Sequence, residues 1–527
     1  MSPGPQSLHG HAFLDLRWSR ERGYSAIGQR EHEIGLSVKD AQGIEKGIVG
    51  RWRFDGSQLL IEPDPFGYLP IFVWIAPANE SEARIIVGTS PIAVVAAGAP
   101  GEPDREELGL WCRVGLCLGE RTLFKQVRLT PRGKTLSWRE GRVTVAGPGL
   151  PIVPATIKTV EEGVQGYCDL FRQAMKRRPP MGDFAMPLSG GRDSRMMLLD
   201  CIALGWKPKA CVTLSGGPSS DHPDAVIARM LAKRVDVGLV EVEAHSKWIQ
   251  SEARKHVTGG LLVLEHTWMM PLWDTLRASY GCWYDGLGCG AITRGDLCKE
   301  SCLDRYRRGA WEDLTREFAS YALGVNDELL GTLARTCDWI EPSHESAVAL
   351  VKEEFARFEG AANPLTAMSF ANWGGRAISL NPYMLCATHR AIHTPFMDQD
   401  LVRFLFGYPI ELALEDDLQT ACVRRMHPSF ADVPFDKDLP KPKKHKKPLV
   451  KAIGGRLATV NHMRRNGGPF SSLGVARALR GDSRAVPVIA ALALLDQART
   501  AEGAERLLAT YGFGSAADAA SLAAHRV

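Results

Sequence analysis

The stretch Met186-Pro-Leu-Ser-Gly-Gly-Arg-Asp-Ser-Arg195 governs how the rest of this 527-residue chain is read. Phe184-Ala-Met-Pro-Leu188 is a short apolar run suited to a buried parallel strand, and Arg195-Met-Met-Leu-Leu-Asp-Cys-Ile-Ala-Leu204 has the apolar density of a helix that stops at Gly205. Between them lies Ser189-Gly-Gly-Arg-Asp-Ser194. Gly190 and Gly191 let the backbone come close to an oxyanion, and the helix N-terminus presents free N–H groups and a positive dipole end. Ser189 and Ser194 add hydroxyl donors. Asp193 is the odd member, because a carboxylate beside a phosphate is repulsive unless a divalent cation sits between them; it is assigned as a Mg²⁺ ligand. The bland alternative is a Gly-Gly turn that binds nothing.

The Gly-Lys-Ser/Thr ending of a Walker loop is absent. The six residues instead resemble the Ser-Gly-Gly-x-Asp-Ser loop of the ATP pyrophosphatases, which adenylate a carboxylate or carbonyl and expel pyrophosphate. Further along, Lys209-Ala-Cys-Val-Thr-Leu214 and Gly238-Leu-Val-Glu-Val-Glu243 read as two more strands, with Asp224 to Lys233 as the helix between them. The resulting βαβαβ unit carries its ligands at the strand carboxyl ends. In the asparagine synthetases, which this region resembles, the strand matched by Val212, Thr213 and Leu214 receives adenine. Asp224 either follows that family or is a plain helix N-terminal acid.

Composition bounds the remainder. A chain that is 45% hydrophobic and 24% charged is ordinary globular material for two or three domains, and a net charge of +4 gives no field that favours nucleic acid. No apolar run reaches about 18 residues, and the first residues lack a secretory pattern, so a cytoplasmic protein with reduced thiols and no membrane association is expected. Cys282, Cys289, Cys298 and Cys302 contain no Cys-x-x-Cys pair, which argues against zinc.

Residues 1–150 read as mostly β. A hairpin turns at Asp55-Gly56, Asp64-Pro-Phe-Gly67 is a second turn, and Pro70-Ile-Phe-Val-Trp-Ile75 is a buried strand. With Gly119 to Phe124 and Leu129 to Gly133, this order resembles the glutaminase domain of the asparagine synthetases. The resemblance implies an Ntn-type αββα domain. That glutaminase uses an N-terminal cysteine, whereas Ser2 stands here and the first cysteine is Cys112, so a degenerate glutaminase is expected. A Ser2 nucleophile is the alternative.

Residues 151–527 are expected to form the second domain, an adenine-nucleotide α-hydrolase-like parallel sheet with a helical C-terminal region. Lys247 to Tyr280 reads as helical, and its run of His266, Trp268, Met269, Met270 and Trp273 is either core or the wall of an acceptor pocket. Cys282-Trp-Tyr-Asp-Gly-Leu-Gly-Cys-Gly-Ala291 resembles the family's second pyrophosphate loop. Gly286 and Gly288 match its glycines, and both join the nucleotide-binding set. Leu287, however, occupies the place of the synthetase glutamate, or of the tyrosine of β-lactam synthetase, and Gly290 the place of the metal-binding aspartate. Asp285 and Asp296 are the nearby carboxylates able to take over, and Asp285 is chosen as metal ligand and catalytic acid.

His393-Thr-Pro-Phe-Met-Asp398 matches the synthetases' Pro-Phe-x-Asp segment. Arg376 and Arg390 face a phosphate or substrate carboxylate, or else are surface residues. Within the basic run Asp436 to Pro448, Lys444 and Lys446 are taken as candidates for the family's active-site lysine, in a register the sequence does not fix.

The whole is most similar to the branch holding β-lactam synthetases and lasso-peptide macrolactam synthetases. The resemblance implies an ATP- and Mg²⁺-dependent, AMP-forming carbon–nitrogen ligase acting on a small-molecule or peptide carboxylate and amine, with a leader-peptide-binding or protease partner in the peptide case. Ammonia-dependent asparagine synthesis and a non-catalytic ATP-binding relic stay open beside it.

Overall fold

The computed structural model describes residues 7–77, 79, 81–215, 222–243, 248–320, 324–378, 381–385, 391–415, 417–440, 449–482 and 484–527. It is a mixed α/β protein with three sheets and many helices. Two antiparallel sheets come from the first 146 residues. One is centred on His11–Ser19, Glu82–Gly88 and Phe72–Ile75; the other runs in the order Arg142–Ala146, Thr135–Arg139, Leu59–Glu62, Val49–Phe54, Glu31–Gly35.

Alternation explains how they stack. Trp52 and Phe54 point inward from Val49–Phe54 while Arg51 and Arg53 point out, and Leu14, Leu16, Ile85, Val87, Leu136 and Trp138 complete the layer between the sheets. The hairpin turns at Asp55, whose carboxylate accepts from Ser57 N and Gln58 N at 2.8 and 2.9 Å, with Gly56 at φ 102°.

The first sheet is apolar on its second face too, where Phe72, Trp74 and Ile86 meet the helices Pro91–Ala96 and Arg105–Val114. The second sheet is not. Its outer face carries Glu31, Glu33, Arg51 and Arg53, all exposed, and Arg142–Ala146 is exposed along its length. The described residues therefore make three layers, αββ, in place of the expected αββα. A fourth helical layer would need an apolar surface there, and the strand sequences put charges on it.

The third sheet is entirely parallel, in the order Leu239–Glu243, Ala210–Ser215, Phe184–Pro187, Cys282–Tyr284, Ala391–His393. The winding reverses between Phe184–Pro187 and Cys282–Tyr284. That reversal opens a crevice at the carboxyl ends of the two strands, the usual ligand position in open α/β sheets. The Lys247–Tyr280 stretch is not one helix. Trp248–Thr258 and Met270–Ser279 are helices, but Gly259 and Gly260 release the chain into an extended strap before a short 3₁₀ turn at Thr267–Met269.

Beyond Cys289 the chain is almost wholly helical. Ala485–Ala498 is apolar on nearly every face and is buried between Trp248–Thr258 and Ala501–Tyr511, the latter returning to pack on Pro91–Ala96. One continuous apolar cluster thus runs from Ile48 and Phe72 through Met196 to Leu508. Among the described residues no helix is long and apolar enough to cross a membrane, and the cysteines are free, buried thiols.

Candidate functional site

Leu188 leaves its strand with its N–H on Val212 O at 2.8 Å, and the chain turns through Ser189–Arg192 into the helix Asp193–Ala203. The turn is held by its own side chains. Ser194 Oγ accepts from Ser189 N at 3.0 Å, Ser189 Oγ accepts from Gly191 N at 3.2 Å, and Asp224 Oδ1 accepts from Gly190 N at 2.7 Å. Asp224 thus both begins the helix Pro223–Arg234 and fixes the loop. A side chain at Gly190 would place Cβ 3.0 Å from Asp436 Cβ and 3.0 Å from Ile227 Cδ1, so glycine is needed for the close approach.

Asp285 comes off the neighbouring strand, its N–H donating to His393 O at 2.8 Å and its carboxylate accepting from Leu287 N at 2.8 Å. The two loops touch at Gly286, where an added Cβ would lie 3.0 Å from Asp193 Cβ. This proximity is visible in the electrostatics. Burial, with the Asp193 charge adding to it, pushes Asp285 up to about 6, and burial likewise raises Asp193. Gln419 donates its side-chain amide to Asp193 Oδ1 and, at 2.9 Å, to Cys289 Sγ.

Both carboxylates open into a cavity of about 500 Å³, to which Ser189, Gly191, Ser194, Thr213, Leu214, Gly286, Leu287 and Gly290 contribute. His266, Trp268, Met269, Leu272 and Trp273 line it as well. Both readings of that aromatic run apply in part: His266, Trp268, Met269 and Trp273 line the cavity, while Met270 does not and packs with Trp273 into the core.

Gly190 and Gly288 do not line the cavity. They shape its loops, and Gly288, at φ 88°, leaves room for Met397 Sδ, which an added Cβ would meet at 2.3 Å. Asp296 is exposed and lies outside the cavity, where its charge helps burial raise Glu265 to about 7. Lys444 and Lys446, like Arg390 and Ser2, lie outside the described residues. Arg376 is buried beside Arg132, Glu120 and Glu354 at the junction with the antiparallel sheets, away from the cavity, and burial lowers it to about 9. Asp398 receives Arg178 at 2.8 Å and Arg177 at 3.0 Å, so the Pro-Phe-x-Asp segment anchors the sheet edge instead of lining the site.

Gln419 and Asp436 are site residues that the sequence reading missed. Gln419 lies in no motif and meets Asp193 from 226 positions away, and Asp436 opens the basic run, where only its lysines were singled out. Among the described residues no set of three or more His, Cys, Asp or Glu is arranged to hold a metal by itself. Asp193 and Asp285 fit a hard cation that takes one or two protein carboxylates and completes its octahedron with phosphate oxygens and water, which is the habit of Mg²⁺.

No protein-family description matches the chain, and no curated protein matches it. Among solved structures, one match is the allosteric regulatory enzyme of purine biosynthesis, 9% identical, covering 45% of this chain and 76% of that one at a TM-score of 0.18. A likeness at that score carries no argument about fold or activity.

Proposed function

We propose that this protein is an ATP-dependent, AMP-forming carbon–nitrogen ligase of the asparagine-synthetase type, built from a glutaminase-like N-terminal domain without glutaminase chemistry and an ATP-pyrophosphatase domain. The observation that carries the reading is that Asp193 and Asp285 line one cavity at the switch point of a parallel sheet, close enough that the charge of one raises the other, with a serine- and glycine-rich turn beside them. Two half-buried carboxylates whose charges repel in one cavity are costly unless a cation joins them.

In this reading Thr213 and Leu214 receive adenine, the Ser189–Ser194 turn grips the pyrophosphate, and the Trp268–Trp273 wall takes the carboxylate substrate. Asp193 and Asp285 would hold Mg²⁺, which supplies charge neutralisation between the phosphates. The carboxylate oxygen attacks the α-phosphorus, pyrophosphate leaves, and an amine then displaces AMP from the acyl carbon. An apolar wall suits a small natural-product acid or a peptide side chain, including intramolecular macrolactam closure, better than free aspartate. A lysine of 441–447 is the proposed partner for charge on the α-phosphate.

The second reading, an ATP-binding relic, is favoured by Leu287 and by the empty space around Gly290. Isotope exchange of pyrophosphate into ATP, driven by a panel of amino acids, small carboxylic acids and acidic peptides, separates the two. Exchange with any of them supports the ligase, and Mg·ATP binding without exchange across the panel supports the relic.

A further inference from the structure

His266 has a backbone at φ 77°, a left-handed conformation that a non-glycine residue adopts only at an energetic cost. Such strain persists only where the surroundings impose it, and here they do so from two sides. Along one edge the strap 261–266 pairs with the antiparallel region: Leu264 N donates to Gly115 O at 2.8 Å, Cys117 N to Leu262 O at 3.3 Å, and Trp111 Nε1 to Leu262 O at 3.2 Å. From beneath, Lys255 donates to Val263 O and Leu264 O, both at 3.0 Å. Lys255 also pairs with Glu252 at 3.1 Å, and Glu252 accepts from Thr267 Oγ1 at 2.6 Å. Both members of that ion pair are fully enclosed, an arrangement that fixes the strap at the expense of desolvating two charges.

The product of this bracing is an imidazole at the cavity wall. The residue is 7% exposed and lines the cavity, yet among the described residues neither Nδ1 nor Nε2 has a hydrogen-bond partner. A buried histidine usually satisfies at least one nitrogen, and among the described residues only His266 and His393 have both without a partner. Burial, with the nearby Lys255 charge, pulls it down to about 3, so the ring is neutral in the empty site and gains basicity only when negative charge enters the cavity. In the same cavity Leu287 offers no such group.

We infer that His266 is the catalytic residue that receives the proton of the attacking amine, in place of the base that Leu287 cannot provide. The inference rests on the ligase reading above. As the amine nitrogen bonds to the acyl carbon, the carbon–oxygen bond to the phosphate breaks, AMP leaves with the electron pair, and one N–H proton passes to a ring nitrogen of His266. Bound AMP and pyrophosphate add negative charge that favours the imidazolium at that moment.

The test uses full-length wild type, His266→Gly and His266→Gln. Glycine suits φ 77°, so that variant keeps the strap and leaves a hole the size of imidazole; glutamine keeps the bulk. Pyrophosphate exchange is measured first, with whichever carboxylate of the panel supports it in wild type. AMP-forming condensation is then measured with ammonia, which must lose a proton, and with hydroxylamine, which traps acyl-adenylates with little help from a base.

The expected result is exchange within about threefold of wild type in both variants, condensation with ammonia down about 100-fold, hydroxylamine trapping within about tenfold, and recovery by added imidazole in His266→Gly alone. Equal loss of exchange and of both condensations, no loss at all, or a wild type that condenses with neither nucleophile would overturn the assignment while leaving the adenylation reading standing. Absence of exchange in wild type with every carboxylate fails the ligase reading itself, and this assignment falls with it.

Discussion

Ser189–Ser194 and Asp285–Gly290 reach one cavity from adjacent parallel strands, but they are equipped differently. In the first, every polar side chain is engaged: Ser189 and Ser194 close the turn, Asp193 faces the cavity, and Asp224 is brought in from the next helix to hold Gly190. In the second, Asp285 is the sole carboxylate, Leu287 is buried at 1% exposure, and nothing lies within 4 Å of where a side chain at Gly290 would begin. The difference separates holding from reacting. A loop that positions phosphates depends on backbone direction and so on its full hydrogen-bond set, whereas a loop that contributes chemistry can lose a side chain if another wall of the cavity replaces it. His266 is placed to be that replacement.

If this division holds, Asp193→Asn should be the most damaging change to the chemistry. Pyrophosphate exchange is expected to fall about 10³-fold or to background, since the loop loses the charge that draws the cation to the phosphates. Thermal stability should stay level or rise, because a buried carboxylate held above its usual range is replaced by a neutral amide. Exchange at wild-type rates would remove Asp193 from the metal site.

Asp285→Asn should act on the same metal more gently, raising the Mg²⁺ needed for half-maximal exchange about 10- to 100-fold. The proton on Asp285 supplies a second readout. It is held up to about 6 in the folded chain, above the ordinary range of a carboxylate, so the folded state binds more protons in that window and stability falls as pH rises through it. Without divalent cation, Asp285→Asn should therefore melt higher than wild type at pH 7.5, by at most about 3 kcal/mol, with the advantage gone below about pH 4. In wild type, Mg²⁺ affinity should weaken as pH falls through about 6, because the cation requires the ionised form. A Mg²⁺ titration by calorimetry at pH 5.5 and 7.5 checks this, and equal affinities would break the pairing of Asp285 with Asp193.

Asp224→Ala tests the holding function alone. It removes the acceptor from Gly190 N and should raise the KM for ATP several-fold with kcat nearly kept, at a stability cost of about 1 kcal/mol. A fall in kcat with KM unchanged would place Asp224 in the reaction instead.

The sequence made these two loops legible because each is local: a strand, a glycine turn and a helix occur within about a dozen residues. The parallel strands and the helices beside them are readable for the same reason, through short apolar runs such as Phe184–Pro187 and the helix Asp193–Ala203. What escaped depends on contacts between distant segments. Gln419 reaches Asp193 across 226 positions, and the strap that presents His266 takes its shape from pairing Leu116 with Val263. The stretch read as helical does hold two helices, and the break between them at Gly259-Gly260 was hidden by apolar composition. The missing fourth layer escaped for a different reason. Resemblance supplied a helix that the outward charges on Arg51 and Arg53 exclude, and the alternation in Val49–Phe54 had already put those charges outside.

The smallest expected effect is at Gly290, and it bears most directly on whether the second loop was adapted or merely lost. Space at this position is open and its φ is not among the positive values that favour glycine, so Gly290→Asp should fold with a stability change within about 0.5 kcal/mol. A carboxylate there sits on the rim of the same cavity as Asp193 and Asp285 and adds a third negative oxygen ligand, so Mg²⁺ should bind several-fold tighter. Turnover need not follow. An enzyme whose cation already has enough partners, and whose base is His266, should gain nothing in pyrophosphate exchange and lose speed if a tighter cation slows pyrophosphate release. A relic lacking only that ligand should instead gain exchange from a silent background. Measured together, Mg²⁺ affinity and exchange distinguish these outcomes: tighter binding with level or lower exchange supports a loop that gave up its aspartate because another wall of the cavity took over the chemistry, and exchange that appears only in Gly290→Asp reverses that conclusion.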